Sequence, residues 1–146
     1  SYIDIKCDKY FDGFELKEAY PYEFSDADGW AVVPLEVTTH GDVVDYYYDI
    51  YVGDLTGDDA PTDNQLILDL AEYGRKNEPI AMSYCYFYEP LTLVYFAKDG
   101  DDNNSVVTRV PMFLYPETAN DLSEFNYYDN KGAAKQFYRR EFSATR

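Results

Sequence analysis

Carboxylates dominate the chemistry available to this chain. It carries 28 Asp and Glu against 12 Lys and Arg and a single His, a formal net charge of −16 over 146 residues. Carboxylates can coordinate cations, act as acid–base pairs on glycosides, or present a negative surface to a basic partner. Spacing decides among these uses. Asp99, Asp101 and Asn103 stand at positions 1, 3 and 5 of a calcium-type loop, yet the glycine at position 6 and the bidentate Glu at position 12 are missing, with Val110 in the last place. The stretch from Asp54 to Asp58 fails in the same way, with Asp59 at position 6 and Gln65 at position 12. Neither is an EF-hand, and a turn is the simpler reading of both. A glycosidase pair has no specificity when any two of so many acids would serve.

Other catalytic constellations are missing. A single histidine, His40 in a Thr-Thr-His-Gly turn, rules out HExxH and any multi-histidine metal site. Cys7 and Cys85 match no CxxC or zinc spacing; Cys7 follows Ile3 and Ile5 in an alternating stretch and Cys85 lies among Tyr84, Tyr86 and Phe87, so two reduced core thiols are expected. No phosphate-binding glycine loop and no GxSxG occurs. The expectation is a protein without catalytic activity and without a cofactor.

What the carboxylates do have is a polarised distribution. Residues 18–74 contain 14 acids and no Lys or Arg, whereas residues 131–146 hold Lys131, Lys135, Arg139, Arg140 and Arg146 against Glu141 alone. Such asymmetry points to an interaction surface. Tyrosines are set into the acidic part, and Tyr gives large contact area at low entropy cost. On an extended strand, acids at i, i+2 and i+4 repeat at about 7 and 13 Å, so an array of this kind can imitate phosphates. The residues expected to face a partner are Asp42, Asp45, Tyr47, Asp49, Tyr51, Asp54, Asp58 and Asp59. The partner expected is a basic protein surface, in particular a nucleic-acid-binding protein whose groove the chain blocks. The basic C-terminal segment can pair with the acidic face within the chain or across a homo-oligomer.

The elements that must position these residues are mostly strands. Period-2 alternation marks residues 2–7, 43–52, 80–88 and 106–115, with an apolar run at 30–37 whose Pro34 suits an edge or a bulge. His40-Gly41-Asp42 reads as the turn of a hairpin entering 43–52, with Val44, Tyr46, Tyr48 and Ile50 on one face and Asp45, Tyr47, Asp49 and Tyr51 on the other. The clearest helix covers 63–73, where Thr62 and Gln65 have capping-box spacing and Leu66, Leu70 and Tyr73 form a stripe ended by Gly74. Asp12-Gly13 reads as a turn, 118–125 as a short helix, and 132–142 is ambiguous between helix and strand. The expected fold is α+β and β-rich: one compact domain over 1–146, a mainly antiparallel sheet or sandwich of five to seven strands, and one or two short helices.

Composition excludes several partners. A surface this acidic cannot gain affinity from counterion release, so direct nucleic-acid binding is excluded, and an anionic membrane is disfavoured. No apolar run reaches the ~18 residues of a spanning helix. Reduced thiols favour an intracellular setting, while the Asn103-Asn104-Ser105 sequon is the feature that would suit a secreted or virion-associated chain. Two alternatives to the basic-partner reading follow from the tyrosines. One is a viral or cell-surface structural protein that assembles through the Tyr-rich face. The other is a secreted carbohydrate- or calcium-binding module, with Trp30 and several Tyr as the sugar platform.

Overall fold

The computed structural model describes residues 1–129, 134–136 and 141–142. Its architecture follows from strands that are apolar on both faces. β1 (Tyr2–Lys6) and β2 (Phe11–Asp12) lie on the same side of β3 (Ala31–His40), which pairs on its other side with β6 (Ile80–Cys85). The short β9 (Ala134–Gln136) adds to β6 in parallel. A second sheet has the order β5 (Arg75–Lys76), β4 (Val43–Val52), β7 (Pro90–Asp99), β8 (Thr108–Phe113), all antiparallel. Six of the nine strands among the described residues are five residues or longer, so the fold is the expected β-rich α+β arrangement.

The expected hairpin at His40-Gly41-Asp42 does not form. β3 pairs with β1, β2 and β6, and β4 pairs with β5 and β7. Gly41, at φ +80°, therefore carries the chain from one sheet to the other instead of folding it back within one. The β6–β7 connection makes the same crossing. The hairpin that does form is β7–β8, across the Asp99–Asn103 turn.

Both sheets are covered on both faces. Between them, Val33, Leu35 and Ala81 meet Tyr46, Tyr48, Ile50 and Leu93. On the outer side of the first sheet, Val32, Met82 and Tyr84 pack against Leu16 of α1 (Gly13–Ala19), Phe24 and Phe125. On the outer side of the second sheet, Tyr47, Tyr51, Val94 and Phe96 pack under Leu66 and Leu70 of α2 (Asp63–Tyr73). Burying a leucine side chain contributes about 1.5–3 kcal/mol, which is what an eleven-residue helix needs in order to persist.

The prolines sit where the ladder permits. Pro34 lies in a central strand, but β1 pairing stops at Glu36 and β2 pairing begins at Val32, which leaves a gap on one side of β3 for a residue without an N–H. Pro111 lies in β8, at the end of the second sheet's strand order. The helix at 63–73 has both capping-box bonds, from Gln65 N–H to Thr62 Oγ1 at 3.2 Å and from Thr62 N–H to Gln65 Oε1 at 2.8 Å. The Asp12-Gly13 turn is instead the start of α1: Asp12 accepts from Phe14 N–H as N-cap. The short helix read at 118–125 is two 3-10 turns, Pro116–Thr118 and Leu122–Phe125, the second running into α3 (Asn126–Asp129). Most of the segment 132–142, and with it the proposed pairing of the basic segment, lies outside the described residues.

Candidate functional site

β4 separates the eight residues expected to form one binding face. From Tyr46 to Tyr51 its two faces alternate as read from the sequence, and both are dry, because the second sheet packs on the first sheet on one side and under α2 on the other. At its start a register shift between Val43 and Asp45 leaves Val44 57% exposed, off the face expected for it. Tyr47 is 7% exposed and stacks on Phe96 with ring centroids 5.0 Å apart. Asp49 is 1% exposed and accepts the Ile50 N–H at 2.9 Å. Tyr51 is fully buried and donates its hydroxyl to Asp69. These three residues are core, and their assignment to a partner-facing surface is corrected. Asp45 is half-buried and accepts from Asn77 Nδ2 at 2.8 Å, while Asn77 Oδ1 accepts the Tyr46 N–H.

The exposed members stand at opposite ends of this ten-residue strand, roughly 30 Å apart at 3.3 Å per residue. At its start, Asp42 meets the β7–β8 turn, and its Oδ2 accepts the Gly100 N–H at 3.3 Å. In that turn Asp99 Oδ1 accepts the N–H groups of Asp101 and Asn103, both at 2.9 Å, and these bonds hold its carboxyl below the usual range. Asp99 thus shapes the turn with the oxygens that a calcium ion would need. Among the described residues no three His, Cys, Asp or Glu side chains converge as a metal site.

At its far end β4 runs into the loop of residues 53–62. Asp54 accepts from both the backbone N–H and the hydroxyl of Thr56, which lowers its pKa. Asp58 and Asp59 project into solvent. The loop is anchored from β8, where Arg109 donates to Leu55 O at 2.9 Å and pairs with Asp63 at 2.6 Å. Beside it opens a hollow of about 470 Å³ lined by Val52, Leu55, Ala60, Pro61 and Phe142 together with Asp59, Gln65 and Glu141. None of the six ion pairs among the described residues involves Asp54, Asp58 or Asp59.

The same end of the second sheet holds residues that sequence reasoning missed. Gly53 N–H bonds to Pro90 O at 2.7 Å, and Pro90 in turn pairs with Phe113. Phe113, Tyr115 and Tyr88 are exposed there, with Tyr115 in ring contact with each of the other two and Glu117 accepting the Tyr88 hydroxyl.

The remaining candidates have structural roles. Trp30, the expected sugar platform, is half-buried with Tyr86 stacked on it at 4.2 Å. His40 Nε2 lies 2.9 Å from Asp4 Oδ2, and its ring is stacked on Tyr2. Burial pushes the Cys7 thiol up to about 12 and raises Cys85 as well, the opposite of an activated nucleophile. No helix among the described residues is long and apolar enough to cross a membrane. No family model, no curated protein and no solved structure matches this chain.

Proposed function

We propose that this chain is a non-catalytic acidic binding protein that engages a basic partner through the carboxylates at one end of its second sheet. The partner is a nucleic-acid-binding protein whose cationic groove the chain occupies. The observation that carries this reading is the loop of residues 53–62: Asp54, Asp58 and Asp59 stand exposed on it with no ion pair among the described residues. Like charges on one loop repel and lower stability, and a basic partner relieves that repulsion. The neighbouring hollow, lined by apolar residues and by Asp59 and Glu141, suits a long cationic side chain with an apolar stem. A field of this sign also steers basic partners and rejects acidic ones. The binding face is thus shifted from the length of β4 to its far end, and Asp42 belongs to a different surface.

The test uses octa-arginine carrying a fluorescent DNA duplex. Added chain should displace the duplex, with potency falling steeply between about 50 and 200 mM salt. Asp54→Asn, Asp58→Asn and Asp59→Asn together should weaken displacement about tenfold, three exposed pairs at about 0.5 kcal/mol each. Displacement indifferent to both salt and the triple substitution refutes the reading.

A further inference from the structure

We propose that the corner made by Tyr88, Phe113, Tyr115 and Glu117 is an anchoring site for an arginine side chain of the partner. The proposal rests on the basic-partner reading and names the group recognised.

The corner is built from separate segments that converge. Tyr88 comes from the crossing between sheets, Phe113 from the end of β8, and Tyr115 and Glu117 from the stretch that follows. They are 55%, 41% and 45% exposed for Tyr88, Phe113 and Tyr115, yet each ring touches another. Tyr88 and Tyr115 have centroids 5.9 Å apart with planes at 80°, and Phe113 and Tyr115 are 5.0 Å apart at 42°. Rings at such angles present faces in different directions around one point. The backbone beneath is held: Tyr88 N–H bonds to Leu114 O at 3.0 Å, and Tyr10 Oη donates to Tyr115 O at 3.0 Å.

Tyr88 has a backbone that its side chain does not favour. Its φ is +59°, in the left-handed region where Gly, Asn or Asp is usual and where a bulky residue is strained. An exposed ring adds nothing to the core, so the fold gains little from tyrosine at this position. The residue fits its place only if the ring has a surface task.

The chemistry of the corner selects the occupant. Ring faces attract cations through their quadrupole. Donation of the Tyr88 hydroxyl to Glu117 makes that ring more electron-rich and keeps a carboxylate beside it. Glu117 takes part in none of the ion pairs among the described residues. Aromatic faces beside a carboxylate suit a guanidinium, which stacks flat on a ring and donates a fork of N–H groups to the acid, better than a compact ammonium. The corner shares its end of the sheet with the loop bearing Asp54, so the surrounding field attracts the same partner.

The experiment is fluorescence anisotropy of the full chain with labelled octa-arginine and with labelled octa-lysine. The expected result is several-fold tighter binding of octa-arginine. Tyr88→Gly suits the left-handed backbone and should fold with a melting temperature within a few degrees of the parent. It should weaken octa-arginine about tenfold and erase the preference over octa-lysine. Glu117→Gln leaves the rings in place and should weaken octa-arginine a few-fold, which keeps the test valid should Tyr88→Gly fail to fold. The triple Asn substitution on residues 53–62 should weaken both peptides equally and leave the preference intact, so failure of the loop and failure of the corner read out separately. Equal affinities for the two peptides, or a preference that survives Tyr88→Gly, overturn the proposal. So does a self-association seen by light scattering that Tyr88→Gly abolishes, or a response of the corner to neutral maltohexaose in place of octa-arginine.

Discussion

Replacing Asp49 with Ala should weaken the fold and leave partner binding unchanged, the reverse of what a surface carboxylate would do. Asp49 sits between Tyr47 and Tyr51 on the face of β4 that packs under α2 and is 1% exposed. Its Oδ1 accepts the Ile50 N–H at 2.9 Å, beyond the two residues at which β5 pairs with β4. Truncation leaves that N–H in a dry environment without this acceptor, which costs about 1–3 kcal/mol, and the void left by the carboxyl adds to the cost. In a domain of this length each kcal/mol moves the melting midpoint by roughly 2–4 °C, so the expected fall is roughly 2–12 °C. A stability of about 5–15 kcal/mol absorbs this loss, and the folded variant remains available for a binding measurement. Circular dichroism melts give the first quantity, and anisotropy with octa-arginine below the transition gives the second. An unchanged midpoint together with weakened binding would place Asp49 at the surface and refute the arrangement in which β4 is covered on both faces.

Two further outcomes test the packing. Gly13→Ala should cost at least about 3 kcal/mol in a urea titration, because a Cβ there would lie 1.9 Å from Ala27 O and 2.7 Å from Trp30 O; an unchanged urea midpoint would contradict that close approach of α1. The buried acids give a pH dependence whose sign is fixed. Burial raises the Cys7 thiol from 9.0 to about 12, and it raises Cys85, Tyr48 and Tyr84 too. Their neutral forms stabilise the fold fully below the unfolded thiol value near 9, and that contribution is lost as pH rises toward 12. Melting midpoints should therefore fall above about pH 9, and a thiol reagent at about pH 8 should label the native chain slowly and the urea-unfolded chain fast. Midpoints that rise above pH 9, or immediate labelling of the native chain, would contradict the burial of these groups.

The residues that were legible are those whose neighbours in sequence are also their neighbours in space. The capping box at Thr62 and Gln65, the burial of Leu66 and Leu70 and the alternation of β4 from Tyr46 onward are local and formed as read, whereas Tyr73 of the same stripe and Val44 are exposed. Asp12-Gly13 was misread because the same pair opens a helix or a turn. What selects the helix is distant: Gly13 is needed where Ala27 O approaches, and Leu16 has a core to enter. His40-Gly41-Asp42 announced a reversal correctly, but a turn does not say whether the next strand pairs with the last one or crosses to a second sheet. The same gap in information explains Tyr47, Asp49 and Tyr51. Period 2 divides β4 into two faces, and nothing local reveals that α2, more than ten residues on, covers the second. The corner of Tyr88, Phe113 and Tyr115 was invisible for the converse reason, since its rings become neighbours only once β7 lies beside β8.

The partition of charge along β4 changes what the net charge means for binding. A partner docked at the far end faces Asp54, Asp58, Asp59 and Glu117, while Asp42, Asp99 and Asp101 lie at the other end of a strand of ten residues. At physiological ionic strength the Debye length is about 8 Å, so charges roughly 30 Å away along the strand are screened to insignificance. Other acids are already paired or withdrawn: Asp63 pairs with Arg109, Asp28 with Lys17 at 3.6 Å, and Asp49 and Asp69 are buried. The −16 of the whole molecule thus sets solubility and long-range steering at low salt, whereas affinity at higher salt depends on a few local carboxylates and the rings beside them. An interface of that kind owes part of its strength to contacts that salt does not screen. This is why the preference for arginine, and not the total affinity, is the quantity that should survive as ionic strength rises.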